Sequence, residues 1–83
     1  MATPQDQQRI AAFRAWLSHI GGIDRAQAAT GIARRSIERM NAGREPPPTR
    51  LLERLAGEVA LAAPRLADRL TRAAQPAEGA QNA

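Results

Sequence analysis

The side chains with the clearest chemical potential are the arginines of residues 31–44, which read GIARRSIERMNAGR. Four arginines and one glutamate fall in this stretch: Arg34, Arg35, Arg39, Arg44 and Glu38. A guanidinium group forms paired hydrogen bonds with a phosphate or with O6 and N7 of guanine. Residues 31–50 hold five arginines and two glutamates, an excess of three positive charges within a chain of net charge +4. Charge concentrated in this way favours a polyanionic partner.

The spacing within residues 33–41 predicts a helix with one charged side and one apolar side. At about 100° per residue, a contiguous arc holds Arg34, Glu38, Arg35 and Arg39. The opposite arc holds Ala33, Ser36, Ile37 and Met40. Arg35 and Arg39 are like charges one turn apart, which costs a helix about 0.2 to 0.5 kcal/mol, whereas Arg34 and Glu38 form a favourable pair. A solvated surface is the plain alternative, but the repulsion favours a charged arc that meets a partner.

Composition predicts an all-α fold for the elements that position this helix. Ala, Leu, Arg, Glu and Gln are good helix formers, and the chain has one Val and no run of β-branched or aromatic residues. We expect a compact bundle of about five short helices in one domain, residues 1–74. Residues 75–83 contain no large apolar side chain and are expected to form a disordered tail.

Local signals indicate where the first two helices begin and end. Pro4 suits the first position of helix 1, and the glycines at 21–22 end that helix. Asp24 and Gln27 have the spacing of a capping box, which predicts that helix 2 starts directly after Asp24. Gly31 ends helix 2 and begins a tight turn.

Three more helices are expected after this turn. Helix 3 covers about residues 33–41 and is closed by Gly43. Helix 4 follows the prolines at 46–48, with Thr49 as its N-cap. Pro64 starts helix 5. Helices 2 and 3, joined by a turn that begins with glycine, make a helix-turn-helix, in which helix 3 carries the arginines.

Groove geometry assigns the arginines of helix 3 to base contacts. The major groove of B-DNA admits one α-helix, and an arginine paired with guanine gives about 1 to 3 kcal/mol of discrimination. Arg34 and Arg35, at the N-terminal end of helix 3, are expected to reach bases, with Arg39 one turn further on. We expect this helix-turn-helix to bind double-stranded DNA.

The other polar residues of this region have supporting roles in the same hypothesis. Ser36, Arg44 and Arg50 are expected on phosphates, which fix the register and make affinity dependent on salt. Glu38 either holds neighbouring guanidinium groups in position or accepts a hydrogen bond from a cytosine amino group, and we favour the first of these roles.

Residues 29–56 resemble the Cro and phage-repressor type (XRE-like) of helix-turn-helix DNA-binding domain. The resemblance rests on Gly31 at the turn, on Ile37 and Met40 within helix 3, on Asn-Ala-Gly at 41–43, and on Arg44 followed by prolines and a Leu-rich helix. It implies a lambda-repressor-like fold of five helices over about residues 5–72. It also implies base contacts at Arg34, Arg35 and Arg39, and a phosphate-binding loop at 42–44.

The same resemblance implies a homodimer on a palindromic operator. One short recognition helix contacts only a few base pairs, so useful specificity favours two subunits. In this family the fifth helix often forms the dimer, which would place Leu66, Leu70 and Ala73 in the interface. The alternative is that these three residues complete the core of the single chain. A small phage or mobile-element repressor or autoregulator suits a chain of this size.

Composition argues against several other classes of protein. The chain has no cysteine and one His, and no nucleophile, base or metal-ligand set is placed together, so we expect no enzyme, no metal and no cofactor. Residues 1–9 lack the pattern of a signal peptide, and no apolar stretch approaches the length of a membrane span, so we expect a cytoplasmic protein. No small-molecule ligand is evident.

Two rival functions use other partners. The first is a protein-interaction module such as an antitoxin, which often keeps a helix-turn-helix. The second is RNA binding or sequence-nonspecific binding, which predicts exposed aromatic residues. It is disfavoured because Phe13 and Trp16 both fall on the apolar face of helix 1.

Overall fold

A computed structural model describes residues 3–75 of the chain, which form five α-helices. Their bounds are α1 Pro4–Ile20, α2 Ile23–Thr30, α3 Arg34–Asn41, α4 Thr49–Val59 and α5 Pro64–Ala74. The described part of the chain contains no strand, so the predicted all-α fold of five helices is confirmed. Of the predicted tail, residues 76–83 lie outside the described residues.

Helix α1 begins and ends where the sequence predicts. Thr3 is its N-cap: the Thr3 hydroxyl accepts a hydrogen bond from the Asp6 amide, and the Asp6 carboxylate accepts one from the Thr3 amide. Pro4 occupies the first helical position, where its missing N–H costs nothing. Gly21 ends the helix at φ +102°, and its amide donates to the carbonyl oxygen of Leu17. The result is a central helix that contacts the other four.

The predicted start of α2 is wrong. Gly22, at φ +113° and ψ −179°, is the N-cap, and the helix begins at Ile23 without any side-chain capping bond. Because glycine adopts a backbone conformation that turns the chain two residues earlier, Asp24 lies inside the first turn of α2 rather than before it. Its carboxylate instead contacts Arg34, which the local pattern of the sequence does not indicate.

The N-cap predicted for α4 is also wrong. Thr49 is the first helical residue, and Pro48 is the N-cap, in the extended conformation with φ −64° and ψ 151°. A proline ring fixes φ near this value. Pro48 therefore has the backbone conformation of an N-cap, although no side chain caps the helix. Before it, Pro47 is fully buried, and its carbonyl oxygen accepts a hydrogen bond of 3.4 Å from Arg9 Nη1.

The core draws side chains from every helix. Phe13 and Trp16 of α1 lie at its centre, with ring centroids 5.6 Å apart. Around them lie the larger buried side chains of the other elements: Ile37, Met40, Leu52, Leu55, Val59 and Leu70. Leu61, in the turn between α4 and α5, is the exception among the large apolar residues of the described chain because its side chain is fully exposed.

Burial corrects the predicted dimer role of two of the three α5 residues, Leu70 and Ala73. Leu70 is 0% exposed and Ala73 is 4% exposed, and both pack in the core of the single chain. Leu66 is half-buried against the same core. A surface already covered by α1 and α4 is not available to a second subunit, so Leu70 and Ala73 complete the monomer core. This outcome is the alternative that the sequence left open.

Candidate nucleic-acid interface

Helix α3 presents one side to the core and the other to solvent. Ile37 and Met40 are buried, at 1% and 3% exposure. The exposed side carries Arg34, Arg35, Glu38 and Arg39, as the spacing predicts. Ser36 is half-buried at the border of the two sides, while Ala33 is exposed as the N-cap and does not join the apolar side. The helix therefore displays its charged arc outward with the apolar arc fixed beneath it.

Three contacts hold α3 and the preceding turn in place. Arg14 Nε on α1 donates to the carbonyl oxygen of Asn41 at 2.7 Å. The amide of Ile32 donates to the hydroxyl of Thr30 at 3.1 Å, which braces the turn at residues 31–33. Arg54 Nη1 on α4 lies 3.5 Å from the carbonyl oxygen of Thr30. The C-terminal end of α3 is thus tied to α1, and the turn before α3 is braced by Thr30 and Arg54.

Arg35, Arg39 and Arg44 form what we call the basic patch. They line one shallow depression together with Glu38 and Ala42. Within residues 3–75, none of the three patch arginines forms an ion pair. Three guanidinium groups in one depression attract an anion with several charges, and their forks suit phosphate or guanine edges.

Arg44 reaches the patch because the chain folds back after α3. Gly43 adopts φ +81°, a left-handed conformation that ends the helix. The amide of Arg44 then donates to the carbonyl oxygen of Arg39 at 3.0 Å. This hydrogen bond fixes the backbone of Arg44 against the last turn of α3, beside the side chain of Arg39.

Arg34 is held separately, in an ion cluster formed by Asp24, Arg34 and Glu38. Arg34 Nη1 donates to Asp24 Oδ1, and Arg34 Nε lies 3.4 Å from Glu38 Oε2. The predicted pairing of Arg34 with Glu38 is confirmed. The hydrogen bond and the negative charge of Asp24, with a smaller contribution from Glu38, raise the pKa of Arg34 above its usual value.

Arg50 lies exposed in the first turn of α4, outside the depression that the basic patch lines. The structure thus brings Arg35, Arg39 and Arg44 together, places Arg34 beside two carboxylates, and leaves Ser36 and Arg50 at the margins. The residue that sequence reasoning missed is Asp24. Asp24 lies ten positions before Arg34, on the other side of a glycine turn. Its contact with Arg34 can be inferred only once α2 and α3 are known to pack against each other.

Residues 3–75 contain no group of three or more His, Cys, Asp or Glu side chains able to hold a metal ion. Among the five helices described, none is both long enough and apolar enough to cross a membrane. Comparison with protein-family models, with curated proteins and with solved structures found no match for this chain.

Proposed function

We propose that this protein binds double-stranded DNA in a sequence-specific manner, with α3 in the major groove. The observation that carries the proposal is the basic patch: Arg35 and Arg39 lie on the outward side of a helix whose other side is buried, Arg44 follows directly after that helix, and within residues 3–75 none of the three forms an ion pair. In the free protein the guanidinium groups of this patch repel one another. Phosphates and guanine edges would accept their hydrogen bonds, and phosphates would neutralise their charge.

The dimensions of α3 support this mode of binding. A helix of eight residues is about 12 Å long and, with side chains, about 10 to 12 Å across. The major groove of B-DNA is about 12 Å wide. An arginine on the outward side of such a helix spans the distance to the base edges, while residues just beyond the helix end lie over the phosphate backbone.

Each arginine has a role in the proposal. Arg34, Arg35 and Arg39 contact bases, and Arg44 contacts a phosphate next to them. Arg50, in the first turn of α4, adds a second phosphate contact. Ser36, half-buried on α3, donates its hydroxyl to a phosphate at the rim of the groove.

The class of protein that we propose is a helix-turn-helix transcriptional regulator of the Cro and phage-repressor type, acting in the cytoplasm on DNA. In this proposal α2, the turn at residues 31–33 and α3 are the helix-turn-helix. A repressor or autoregulator binds a palindromic operator as a homodimer, with half-sites about 34 to 36 Å apart. Its dimer contacts lie on surfaces other than Leu70 and Ala73, which the monomer core covers.

The proposal is tested by selection from a pool of random-sequence DNA duplexes, followed by measurement of Kd on the selected sequence. The α3 triple variant replaces Arg34, Arg35 and Arg39 with Ala. We expect it to lose at least about 100-fold in affinity for the selected sequence, because each base contact contributes about 1 to 3 kcal/mol of discrimination.

A control variant separates base contacts from charge. It replaces the arginines of α5, Arg65, Arg69 and Arg72, which gives the same change in net charge on a helix that does not contact α3. We expect it to keep the sequence preference and to lose only a small, salt-dependent part of the affinity. If the α3 triple variant binds like the wild type, the proposal is wrong, and a protein-interaction module such as an antitoxin becomes the better hypothesis.

A further inference from the structure

The first turns of α2 and α3 meet at the ion cluster of Asp24, Arg34 and Glu38. Asp24 is the second residue of α2 and Arg34 is the first residue of α3, and the turn at residues 31–33 brings the two together. Asp24 contacts the guanidinium group at Nη1, while Glu38 lies 3.4 Å from Nε. The head of Arg34 is therefore contacted on two sides, by acids from two different helices.

Stability does not account for this arrangement. The Arg34 and Asp24 side chains are 52% and 87% exposed, and ion pairs this open to solvent contribute little to folding. A carboxylate next to a surface that binds DNA also lowers the affinity, because phosphates repel it. An acid here therefore needs another explanation if the outward side of α3 faces DNA.

Orientation of Arg34 supplies that explanation. An arginine has five N–H donors in a planar fork; Asp24 accepts from one donor on Nη1, and Glu38 lies at ion-pair distance from Nε. Three N–H donors remain free, two on Nη2 and one on Nη1. A guanine offers two acceptors, O6 and N7, so enough donors are left for a paired contact with it. A guanidinium group held in one plane loses less conformational freedom on contacting a base than a mobile one. It is also kept from swinging to a phosphate.

We infer that Asp24 is a positioning residue, which holds the guanidinium group of Arg34 toward a guanine and thereby sets the sequence preference at one base pair. This inference rests on the proposed function. Asp24 contacts no base itself in this account. It lowers affinity for DNA of any sequence through its charge and raises the preference for one sequence through Arg34, so its two effects have opposite signs.

The test measures Kd of Asp24→Asn on the selected duplex, on duplexes that change one base pair at a time, and on an unrelated duplex. We expect tighter binding to the unrelated duplex and a preference at one base pair that falls by at least about threefold. Arg34→Ala is expected to lower the preference at that same base pair by about tenfold. Asp24→Glu, which keeps the carboxylate, is expected to restore part of it.

Two further variants show that the effect passes through Arg34. In the Arg34→Ala background, Asp24→Asn is expected to leave the preference unchanged, because there is no guanidinium group left to orient. Asp68→Asn is the matched control: Asp68 pairs with Arg72 on α5, at 3.5 Å, and it carries the same charge away from α3. It is expected to change neither preference nor stability.

The outcomes distinguish this inference from the proposed function. If Asp24→Asn shifts the affinity for every duplex by the same factor, Asp24 acts only through its charge, and the inference is wrong while DNA binding stands. The same conclusion follows if Asp24→Asn lowers the preference equally with and without Arg34. If the wild-type protein binds no duplex, the proposed function fails, and the inference fails with it.

Discussion

Arg14 on α1 donates a hydrogen bond from Nε to the carbonyl oxygen of Asn41, the last residue of α3, with an N···O distance of 2.7 Å. The last carbonyl groups of a helix have no partner within the helix, so a donor from elsewhere satisfies one of them. The positive charge of Arg14 also lies at the negative end of the helix dipole. The central helix thus fixes the C-terminal end of the helix that displays the basic patch.

Replacing Arg14 with Ala removes this bond. We expect the free energy of unfolding to fall by about 0.5 to 1 kcal/mol, because the freed carbonyl group is exposed and water replaces the donor in part. Urea unfolding followed by circular dichroism measures the change. Arg25→Ala, which removes an exposed arginine of α2, is the control and is expected to stay within about 0.5 kcal/mol of the wild type. Equal effects of both variants would contradict a specific role for the bond.

Two glycines are expected to respond to alanine in opposite directions. Gly31 has φ +74°, and a Cβ added there meets nothing within 4 Å, so Gly31→Ala is strained by its backbone alone and costs about 1 to 2 kcal/mol. Gly57 lies within α4 at an exposed position, where an added Cβ also meets nothing, so Gly57→Ala stabilises by about 0.5 to 1 kcal/mol. Thermal unfolding of both variants tests the pair. A loss of stability in Gly57→Ala would show that α4 requires glycine for another reason.

The burial of α5 and the exposure of Leu61 give a third prediction. Leu70→Ala is expected to lower the free energy of unfolding by about 2 to 5 kcal/mol, because Leu70 is fully buried and the substitution leaves a cavity. Leu61→Ala removes a side chain that is fully exposed, and it is expected to change stability by less than about 0.5 kcal/mol.

Unfolding measured over a range of protein concentrations checks this prediction. Because Leu70 belongs to the core of a single chain, the loss in Leu70→Ala is expected at every concentration. A loss that vanishes at low protein concentration would instead place Leu70 in a subunit interface, since the stability of a dimer depends on the concentration of its subunits.

Helix boundaries that depend on neighbouring residues could be predicted from the sequence. Pro4 and Pro64 open α1 and α5 as expected, because a proline fixes φ and lacks an N–H wherever it stands. The charged arc of α3 and the burial of Ile37 and Met40 opposite it also follow from spacing alone. In each case the physical cause lies within one or two turns of the residue concerned.

The parts that could not be predicted depend on contacts between helices. Asp24 has the spacing of a capping residue, and its actual partner, Arg34, lies on a different helix. Leu61 has a large apolar side chain of the kind that usually lies in a core, but the turn between α4 and α5 places it in solvent. Leu70 and Ala73 fit a dimer interface and a monomer core equally well until the packing of α5 on α1 and α4 is known.

The dependence of binding on salt tests the role of Arg44 and the number of chains on DNA together. Each phosphate that a protein neutralises contributes about 0.9 to the slope of log K against log salt concentration. Arg44→Ala is therefore expected to flatten this slope by about 0.9 if one chain binds, and by about 1.8 if a dimer binds, because each chain contributes one Arg44.

The affinity of Arg44→Ala should fall by the same factor on every sequence, since a phosphate contact carries no sequence information. Arg35→Ala is the matched control on α3: it is expected to change the sequence preference. A change of sequence preference in Arg44→Ala would instead assign Arg44 to a base.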